Sequence, residues 1–155
     1  MPNNPIPQEL MMRAAIEQAI MGESKGEVPV GAVICIGDQI IASAHNRTEE
    51  LQEPCAHAEI LAIREASTKM KSWRLDNATL FVTLEPCTMC AGAIRAARIK
   101  TVVYGADDEK LGACGSLYNL LEDSRLGSTP RIIKGILESE CKTVLTNFFR
   151  KLRRD

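Results

Sequence analysis

Two short motifs in the sequence bring together residue types that bind transition metals. His57 and Glu59 are separated by one residue, and Cys87 and Cys90 lie further along, in the segment PCTMC. Cysteines at positions i and i+3 in the first turn of a helix lie on one face, so both sulfurs can bind the same ion. The positive end of the helix dipole also favours thiolate over thiol. Two thiolates and one imidazole are a ligand set that suits Zn²⁺.

The number of ligands decides what such a metal site would do. A structural zinc site is closed by four protein groups, whereas a catalytic site keeps one position for water. A closed site would need a fourth ligand from the remaining candidates, which are His45, Cys35, Cys55, Cys114 and Cys141. Glu59 favours an open site, because a carboxylate beside a zinc-activated water can accept its proton and deliver it to a substrate. The pattern predicts a hydrolytic centre with His57, Cys87 and Cys90 as ligands and Glu59 as proton carrier.

Each motif alone has a simpler interpretation. A His-x-Glu sequence is common at a helix start with a solvated carboxylate, and Pro-Cys-x-x-Cys is also typical of a redox pair or half of a zinc knuckle. Together, each after a predicted strand and at the start of a predicted helix, they match the signature of the zinc nucleobase deaminases. A non-catalytic RNA-binding or scaffold protein that keeps zinc for stability is a further alternative. Glu59 argues against it, since a purely structural site does not need that carboxylate.

The elements that position these motifs follow from the hydrophobic pattern. Helical spacing predicts a first helix that ends at Gly22 and Gly26, and further helices over about 56–69, 86–97 and 137–153. Apolar β-branched runs predict strands over 28–36, 39–44, 79–84 and 101–104, and a weaker strand or helix approach over 131–136. We expect loops over 47–54 and 106–115 and a short helix over 116–121. Strands alternating with helices after an opening hairpin predict an α/β sandwich with a mixed sheet.

Length and composition are typical of one soluble globular domain. The chain has 155 residues, of which 45% are hydrophobic and 25% charged, so we expect one domain over residues 1–155. Nineteen basic and twenty acidic residues give a net charge of −1, and any RNA contact would need a local basic patch. The N-terminal segment MPNNPIPQEL has no features of a signal peptide, and no apolar run reaches the roughly 18 residues that span a bilayer. We therefore expect a cytoplasmic protein that does not contact membranes.

Longer segments resemble one particular family. They are VPVGAV at 28–33, HAEI at 57–60, VTLEPCTMCAGA at 82–93, VYGA at 103–106, GACGSL at 112–117 and FFR at 148–150. With them the chain resembles the bacterial tRNA-specific adenosine deaminases, which convert wobble adenosine to inosine, over about residues 8–153. The resemblance implies a three-layer α/β/α sandwich around a five-stranded mixed sheet, of the cytidine deaminase-like class. It also implies one Zn²⁺ per subunit, a homodimer, and the anticodon stem-loop of a tRNA as partner.

The resemblance also implies roles for individual residues. His57, Cys87 and Cys90 match the family's zinc ligands, and Glu59 matches its proton shuttle. Asn46 matches an asparagine that hydrogen-bonds the flipped base, although asparagine is also a common turn residue. Asp108 matches an acidic residue that contacts the nucleic-acid backbone, although most loop carboxylates are simply solvated. The remaining expected pocket residues are Ala58, Val30 and Leu84; apolar residues on strands are core by default.

The C-terminal segment FFRKLRR bears on the choice between RNA and a free base as substrate. Cations can hold phosphates and aromatic rings can stack on unpaired bases. The expected RNA contacts are Phe148, Phe149, Arg150, Lys151, Arg153 and Arg154. Basic residues at a helix C-terminus also complement the helix dipole without any ligand. Deamination of a free base or nucleoside, such as guanine or cytosine, is the main enzymatic alternative and needs no basic surface.

Overall fold

The structure is a computed structural model that describes residues 8–154. Residues 1–7, on which the expectation about a signal peptide rests, and residue 155 lie outside the described residues. The helices are α1 Gln8–Ser24, α2 Thr48–Leu51, α3 Ala58–Met70, α4 Thr88–Ala96 and α5 Glu138–Arg154. The strands are β1 Gly31–Ile36, β2 Gln39–His45, β3 Ala78–Leu84, β4 Thr101–Ala106 and β5 Arg131–Lys134. None of the described helices combines the length and apolar character needed to cross a membrane.

The five strands form one mixed sheet in the order β2-β1-β3-β4-β5. Strand β1 is antiparallel to both β2 and β3, whereas β3, β4 and β5 run parallel. The carboxyl ends of β3, β4 and β5 therefore meet at one edge of the sheet, and the amino end of β1 meets them there. This edge, which we call the upper edge, is the one from which the chain enters the PCTMC segment. The expected five-stranded mixed sheet is confirmed.

Helices cover both faces of the sheet, and two separate apolar clusters fill the layers. Alternate β3 residues point to opposite faces, as the two-residue period of a strand requires. Leu80 and Val82 pack with Ala62 of α3 and Ile94 of α4. Phe81 packs on the other face, in the cluster formed with α1 and α5, whose members include Met12, Ala15, Val103 and Cys141. The expected three-layer α/β/α sandwich is confirmed.

The start of β1 differs from the sequence prediction. The apolar run begins at Val28, but the strand begins at Gly31, because Pro29 has no N–H to contribute to a sheet ladder. Gly31 lies so close to α1 that a side chain there would collide with the backbone of Ala15 and Ala19. Glycine at this position therefore lets α1 pack directly on the sheet, where its C-terminal end reaches the upper edge.

Two predictions about loops need correction. The segment 116–121, expected as a short helix, forms no helix: Cys114 and Asn119 pair as an isolated bridge, and Leu120 N–H bonds to the Ala113 carbonyl. The backbone donors that a helix would use are thereby taken by the turn. The segment 47–54, expected as a loop, contains the single helical turn α2. Its first N–H groups are satisfied by the distant Glu27 carboxylate, a partner that local sequence does not reveal.

Candidate metal centre and active site

His57 and Cys87 occupy equivalent positions on two neighbouring helices. His57 is the N-cap of α3 and Cys87 is the N-cap of α4, each with extended backbone angles. Neither side chain hydrogen-bonds to the N–H groups of its own helix, so both are free to meet between the helices. Cys90 lies one turn into α4 and is fully buried. The sequence motif thus places three donor side chains beside two positive helix ends.

The three donor atoms lie close enough to bind one metal ion. The Nδ1 atom of His57 is 3.6 Å from the Cys87 sulfur and 3.5 Å from the Cys90 sulfur. All three donor atoms lie within 4.8 Å of one another. Zn–S bonds of about 2.3 Å and Zn–N bonds of about 2.0 Å can be accommodated in such a triangle. The two sulfurs and one imidazole nitrogen suit Zn²⁺, as the sequence predicts, and these are the only three residues that form such a cluster among residues 8–154.

The site favours the thiolate form of Cys87. A hydrogen bond with Cys90 lowers the pKa of Cys87 to about 3, and the hydrogen bond with His57 adds to this against the effect of burial. The same hydrogen bond raises the pKa of Cys90, and burial raises it further. The hydrogen bond with Cys87 also raises the pKa of His57. Metal binding requires deprotonated ligands and releases their protons, so a metal ion would replace the protons that these groups now share.

Glu59 lies in the first turn of α3, two residues after His57, and is only 4% exposed. Burial raises the pKa of Glu59, because an apolar environment disfavours the charged carboxylate. The carboxyl group also contacts Cys90, whose side chain hydrogen-bonds to it. A buried carboxyl group beside the donor triangle, with its proton affinity raised, suits general acid–base chemistry.

Asn46 connects the end of β2 to the start of α3. Its side-chain oxygen accepts a hydrogen bond of 2.8 Å from the N–H of Ala58, which satisfies one of the otherwise unpaired donors at the helix start. Asn46 therefore fixes the residues on either side of the His57 N-cap. The side-chain oxygen is engaged in this bond, and the NH₂ group is not part of it.

The other expected pocket residues are distributed around the same edge of the sheet. Ala58 and Val30 are buried, and Leu84 is half-buried at the carboxyl end of β3. Asp108 is half-buried in the loop after β4, and its carboxylate accepts hydrogen bonds from the N–H groups of Lys110 and Leu111, both 3.1 Å. The structure thus gives Asp108 a turn-forming role that the sequence did not predict.

Two buried carboxylates escaped the sequence analysis. Glu85, directly before Pro86, is 2% exposed and accepts hydrogen bonds from the loop that follows β4. Burial raises its pKa, but the hydrogen bonds from Ser116, Asp108 and Cys114 outweigh that effect, and the pKa of Glu85 is lowered. Glu27 is 1% exposed and caps α2. In both cases the sequence could have indicated burial, because an acidic residue lies directly beside an apolar segment. Glu27 precedes Val28, and Glu85 follows Leu84 at the end of β3.

The C-terminal basic residues lie at the end of α5. Phe148 is 9% exposed and packs edge-to-face on Phe149, whose ring is 45% exposed. Phe148 therefore belongs to the packing face of α5 and offers no free ring face for stacking on a base, contrary to the expectation. Leu152, near the end of the same helix, is 55% exposed. Lys151 forms an ion pair of 3.8 Å with Glu23 at the end of α1.

Comparison with known families identifies the class of protein that this fold and site define. The sequence profile of the MafB19-like deaminase family matches residues 6–153, which is nearly the whole chain. The match includes both metal-binding motifs and every strand of the sheet. The fold and the site are those of a deaminase.

Individual relatives define the family more narrowly. A tRNA-specific adenosine deaminase of Bacillus subtilis is 51% identical over 146 residues, which cover 94% of this chain and 91% of the relative. A solved structure from a study of A-to-I editing by tRNA:A34 deaminases at the wobble position superimposes with a TM-score of 0.85. It is 42% identical and covers 88% of this chain and 99% of the other. The chain belongs to the family of tRNA-specific adenosine deaminases.

A guanine deaminase of Bacillus subtilis is also structurally similar, but over a shorter part of the chain. Its structure is 40% identical, has a TM-score of 0.61 and covers 64% of each chain. A guanine deaminase of Nitrosomonas europaea covers 90% of this chain with a TM-score of 0.80 at 22% identity, so the fold is shared with free-base enzymes along most of the chain. The tRNA:A34 deaminase covers a similar share at the higher identity of 42%.

Proposed function

We propose that the protein is a zinc-dependent hydrolase that converts adenosine to inosine at the wobble position of a tRNA anticodon loop. In this reaction water replaces the exocyclic amine at C6 of adenine, and ammonia leaves. The observation that carries the proposal is the triangle of His57, Cys87 and Cys90 with the buried Glu59 beside it, in a chain whose curated relatives bear this activity in their name.

The residues divide the chemistry between them. His57, Cys87 and Cys90 would hold Zn²⁺, which when bound supplies a Lewis acid and activates water for attack. Glu59 would accept a proton from the attacking water and deliver it to the ring nitrogen, and it would then carry a second proton from the new hydroxyl group at C6 to the departing amine, which leaves as ammonia. Its burial beside the donor triangle suits this role, because the carboxyl group is held close to the reacting atoms.

The pocket side chains orient the base. The NH₂ group of Asn46 is available to bind an acceptor on the flipped adenine, while its oxygen stays on Ala58 N–H. Ala58, Val30 and Leu84 offer apolar contacts near the upper edge of the sheet. Asp108, in the loop beside Cys87, contacts the nucleic-acid backbone next to the flipped nucleotide. A flipped base is typically read by stacking and by hydrogen bonds to its Watson–Crick edge, which these groups can supply.

The end of α5 supports RNA as the substrate. The C-terminal basic turn, which we define as Phe149, Arg150, Lys151, Arg153 and Arg154, is exposed. A chain of contacts connects it to the site: Lys151 pairs with Glu23, the adjacent Gly22 packs against His45, and His45 Nδ1 bonds to the Asn46 carbonyl at 2.8 Å. The basic turn therefore lies along the upper edge of the sheet, where phosphates flanking a bound nucleotide would pass.

We also infer a homodimer in the cytoplasm. The loop beside the active site exposes the apolar side chains of Leu111, Leu117 and Tyr118, each more than half exposed, and exposed apolar patches often mark protein–protein contacts. All six cysteines are free thiols, which is typical of a reducing compartment. Light scattering of the purified protein tests the dimer, and cell fractionation tests the compartment.

One experiment separates the RNA substrate from a free base. The zinc-loaded protein is incubated with total tRNA, with an anticodon stem-loop that carries adenosine at the wobble position, and with free guanine, cytosine and adenosine. Inosine is scored by mass spectrometry and ammonia by a coupled assay, with Glu59→Gln as the inactive control. We expect inosine in the RNA samples alone. Ammonia from guanine or cytosine without inosine in RNA would replace the proposal with a free-base deaminase.

A further inference from the structure

We propose that Glu85 is a positioning residue that fixes the Asp108 loop, residues 107–116, against the metal-binding turn, which we define as residues 86–90. The carboxylate lies between the end of β3 and Cys87, and the loop that it holds carries the expected RNA contact Asp108. The consequence for catalysis rests on the proposed function, because it concerns how the loop meets RNA. The anchoring itself does not depend on the substrate.

Four hydrogen bonds attach the loop to Glu85. The Oε1 atom accepts from Asp108 N–H at 3.0 Å and from the Ser116 hydroxyl at 2.5 Å. The Oε2 atom accepts from Cys114 N–H at 3.0 Å and from Ser116 N–H at 3.1 Å. The donors come from both ends of the loop, so this one side chain sets the loop's overall shape.

The site requires a carboxylate rather than any polar group. Glu85 is 2% exposed, and all four groups that hydrogen-bond to its carboxylate are donors, from three residues. An ionised carboxylate only accepts, whereas a glutamine amide would turn an NH₂ group towards at least one of these N–H groups. A buried donor without an acceptor is costly, so the isosteric substitution Glu85→Gln should release part of the loop.

Backbone hydrogen bonds also connect the Asp108 loop to Glu85, Pro86 and the proposed metal ligand Cys87. Glu85 N–H bonds to the Ala106 carbonyl at 2.8 Å, and Ala113 N–H bonds to the Pro86 carbonyl at 2.9 Å. Cys87 itself pairs with Gly112 as an isolated bridge. A side chain at position 112 would collide with the Glu85 carboxylate and the Asp108 carbonyl oxygen. The loop is therefore packed directly against residues 85–87, and Glu85 is its only side-chain acceptor from residues 85–87 in the described structure.

A second buried carboxylate provides a matched control. Glu27 is 1% exposed and accepts hydrogen bonds from Glu49 N–H at 3.1 Å and Glu50 N–H at 2.9 Å. It thus anchors α2, and none of its hydrogen bonds within residues 8–154 involves the Asp108 loop. The substitution Glu27→Gln removes the same charge from an equally buried position. Any general effect of burying an amide appears in both variants, and only the loss of the loop anchor is specific to Glu85→Gln.

Amide hydrogen exchange of the zinc-loaded full chain tests the anchoring. In Glu85→Gln we expect exchange at Asp108, Cys114 and Ser116 to accelerate by about tenfold or more, which corresponds to the loss of one net hydrogen bond of about 1.4 kcal/mol. In Glu27→Gln the exchange of these three amides should match that of the wild-type protein. Unchanged exchange in Glu85→Gln, or equal acceleration in both variants, would overturn the proposal. Should Glu85→Gln fail to fold, Ser116→Ala removes one donor and should accelerate exchange at Asp108.

Steady-state kinetics with the anticodon stem-loop test the consequence for catalysis. We expect Glu85→Gln to keep one zinc per chain and to raise KM several-fold more than it lowers kcat, because the loop meets RNA while Glu59 and the ligands stay in place. A fall in kcat with unchanged KM would overturn this role. If the wild-type protein deaminates no RNA, the proposed function fails, yet the exchange experiment still decides whether Glu85 anchors the loop.

Discussion

His57 and Cys87 are each the N-cap residue of a helix, and their Nδ1 and Sγ atoms lie 3.6 Å apart across the space between α3 and α4. The pairing of two helix starts gives the site its positive potential and leaves both cap side chains free to bind metal. Cys90 completes the triangle from the same face of α4, as the spacing of the two cysteines requires.

Removing one sulfur should remove the metal. We expect Cys87→Ala and Cys90→Ala to lower zinc content from about one ion per chain to a small fraction of that value, because two protein donors rarely retain zinc. Metal content is measured by plasma mass spectrometry after dialysis. Cys55→Ala is the control, since Cys55 is exposed and lies outside the donor triangle. Full zinc occupancy in Cys87→Ala would refute the ligand set.

Glu59 should be needed for turnover and not for zinc. We expect Glu59→Gln to retain zinc and the fold while turnover falls by roughly 10²–10⁴, the usual contribution of a general acid–base group. Single-turnover assays on the stem-loop RNA measure the rate, and metal analysis is run on the same sample. If zinc is lost together with activity, Glu59 is a ligand and the site is a closed one.

The sequence predicts those parts of the site whose residues lie close together along the chain. Cys87 and Cys90 are three residues apart at a helix start, so helix geometry alone brings this pair to one face. His57 and Glu59 lie close together because only one residue separates the helix N-cap from the first turn. The meeting of the two motifs was inferred from the deaminase signature, and it depends on β1 and β3 lying side by side in the sheet.

The features that sequence missed depend on distant partners. Glu85 is buried because Asp108, Cys114 and Ser116 surround it, and Glu27 is buried because α2 folds over it. The short helix expected over 116–121 is also absent because of tertiary pairing, since Cys114 pairs with Asn119 and Leu120 N–H bonds to the Ala113 carbonyl. Local propensity cannot anticipate an acceptor some thirty residues away.

Asn46 can be tested with two substitutions that separate its two hydrogen-bonding groups. Asn46→Asp keeps an oxygen for Ala58 N–H but lacks the NH₂ group, whereas Asn46→Ala loses both. We expect Asn46→Ala to lower stability by about 1 kcal/mol, the usual cost of losing a helix cap, and Asn46→Asp to leave stability nearly unchanged. Both should lower kcat/KM on RNA. Wild-type kcat/KM in Asn46→Asp would show that the side chain serves only to position α3.

Thiol labelling should distinguish the four cysteines outside the donor triangle. Cys55 is exposed and should react with iodoacetamide within minutes at neutral pH. Burial raises the pKa of Cys35 to about 11 and that of Cys141 to about 12, and it also raises the pKa of Cys114. These three thiols carry almost no thiolate at pH 7 and are shielded from the reagent. Peptide mass spectrometry locates the label, and early modification of Cys35 would contradict its buried position.

The C-terminal basic turn should control RNA affinity. Changing Arg150, Lys151, Arg153 and Arg154 to Gln should weaken binding of the stem-loop RNA and flatten its salt dependence. Each lost phosphate contact should reduce the slope of log K against log salt by roughly 0.7–0.9. Activity at saturating RNA should persist, because the metal site does not include these residues.

A control for this last prediction lies at the opposite edge of the sheet, where Arg98 and Lys100 are exposed just before β4. Their replacement by Gln removes positive charge from the same protein, but at the edge remote from the metal-binding turn, and should change the salt slope far less. Lys151 is distinguished from the other three cations by its ion pair with Glu23, so Lys151→Gln alone should have the smallest effect of the four single substitutions. If the variant with all four substitutions binds RNA with wild-type affinity and salt slope, the basic residues only complement the dipole at the helix terminus. A free base then becomes the better substrate hypothesis.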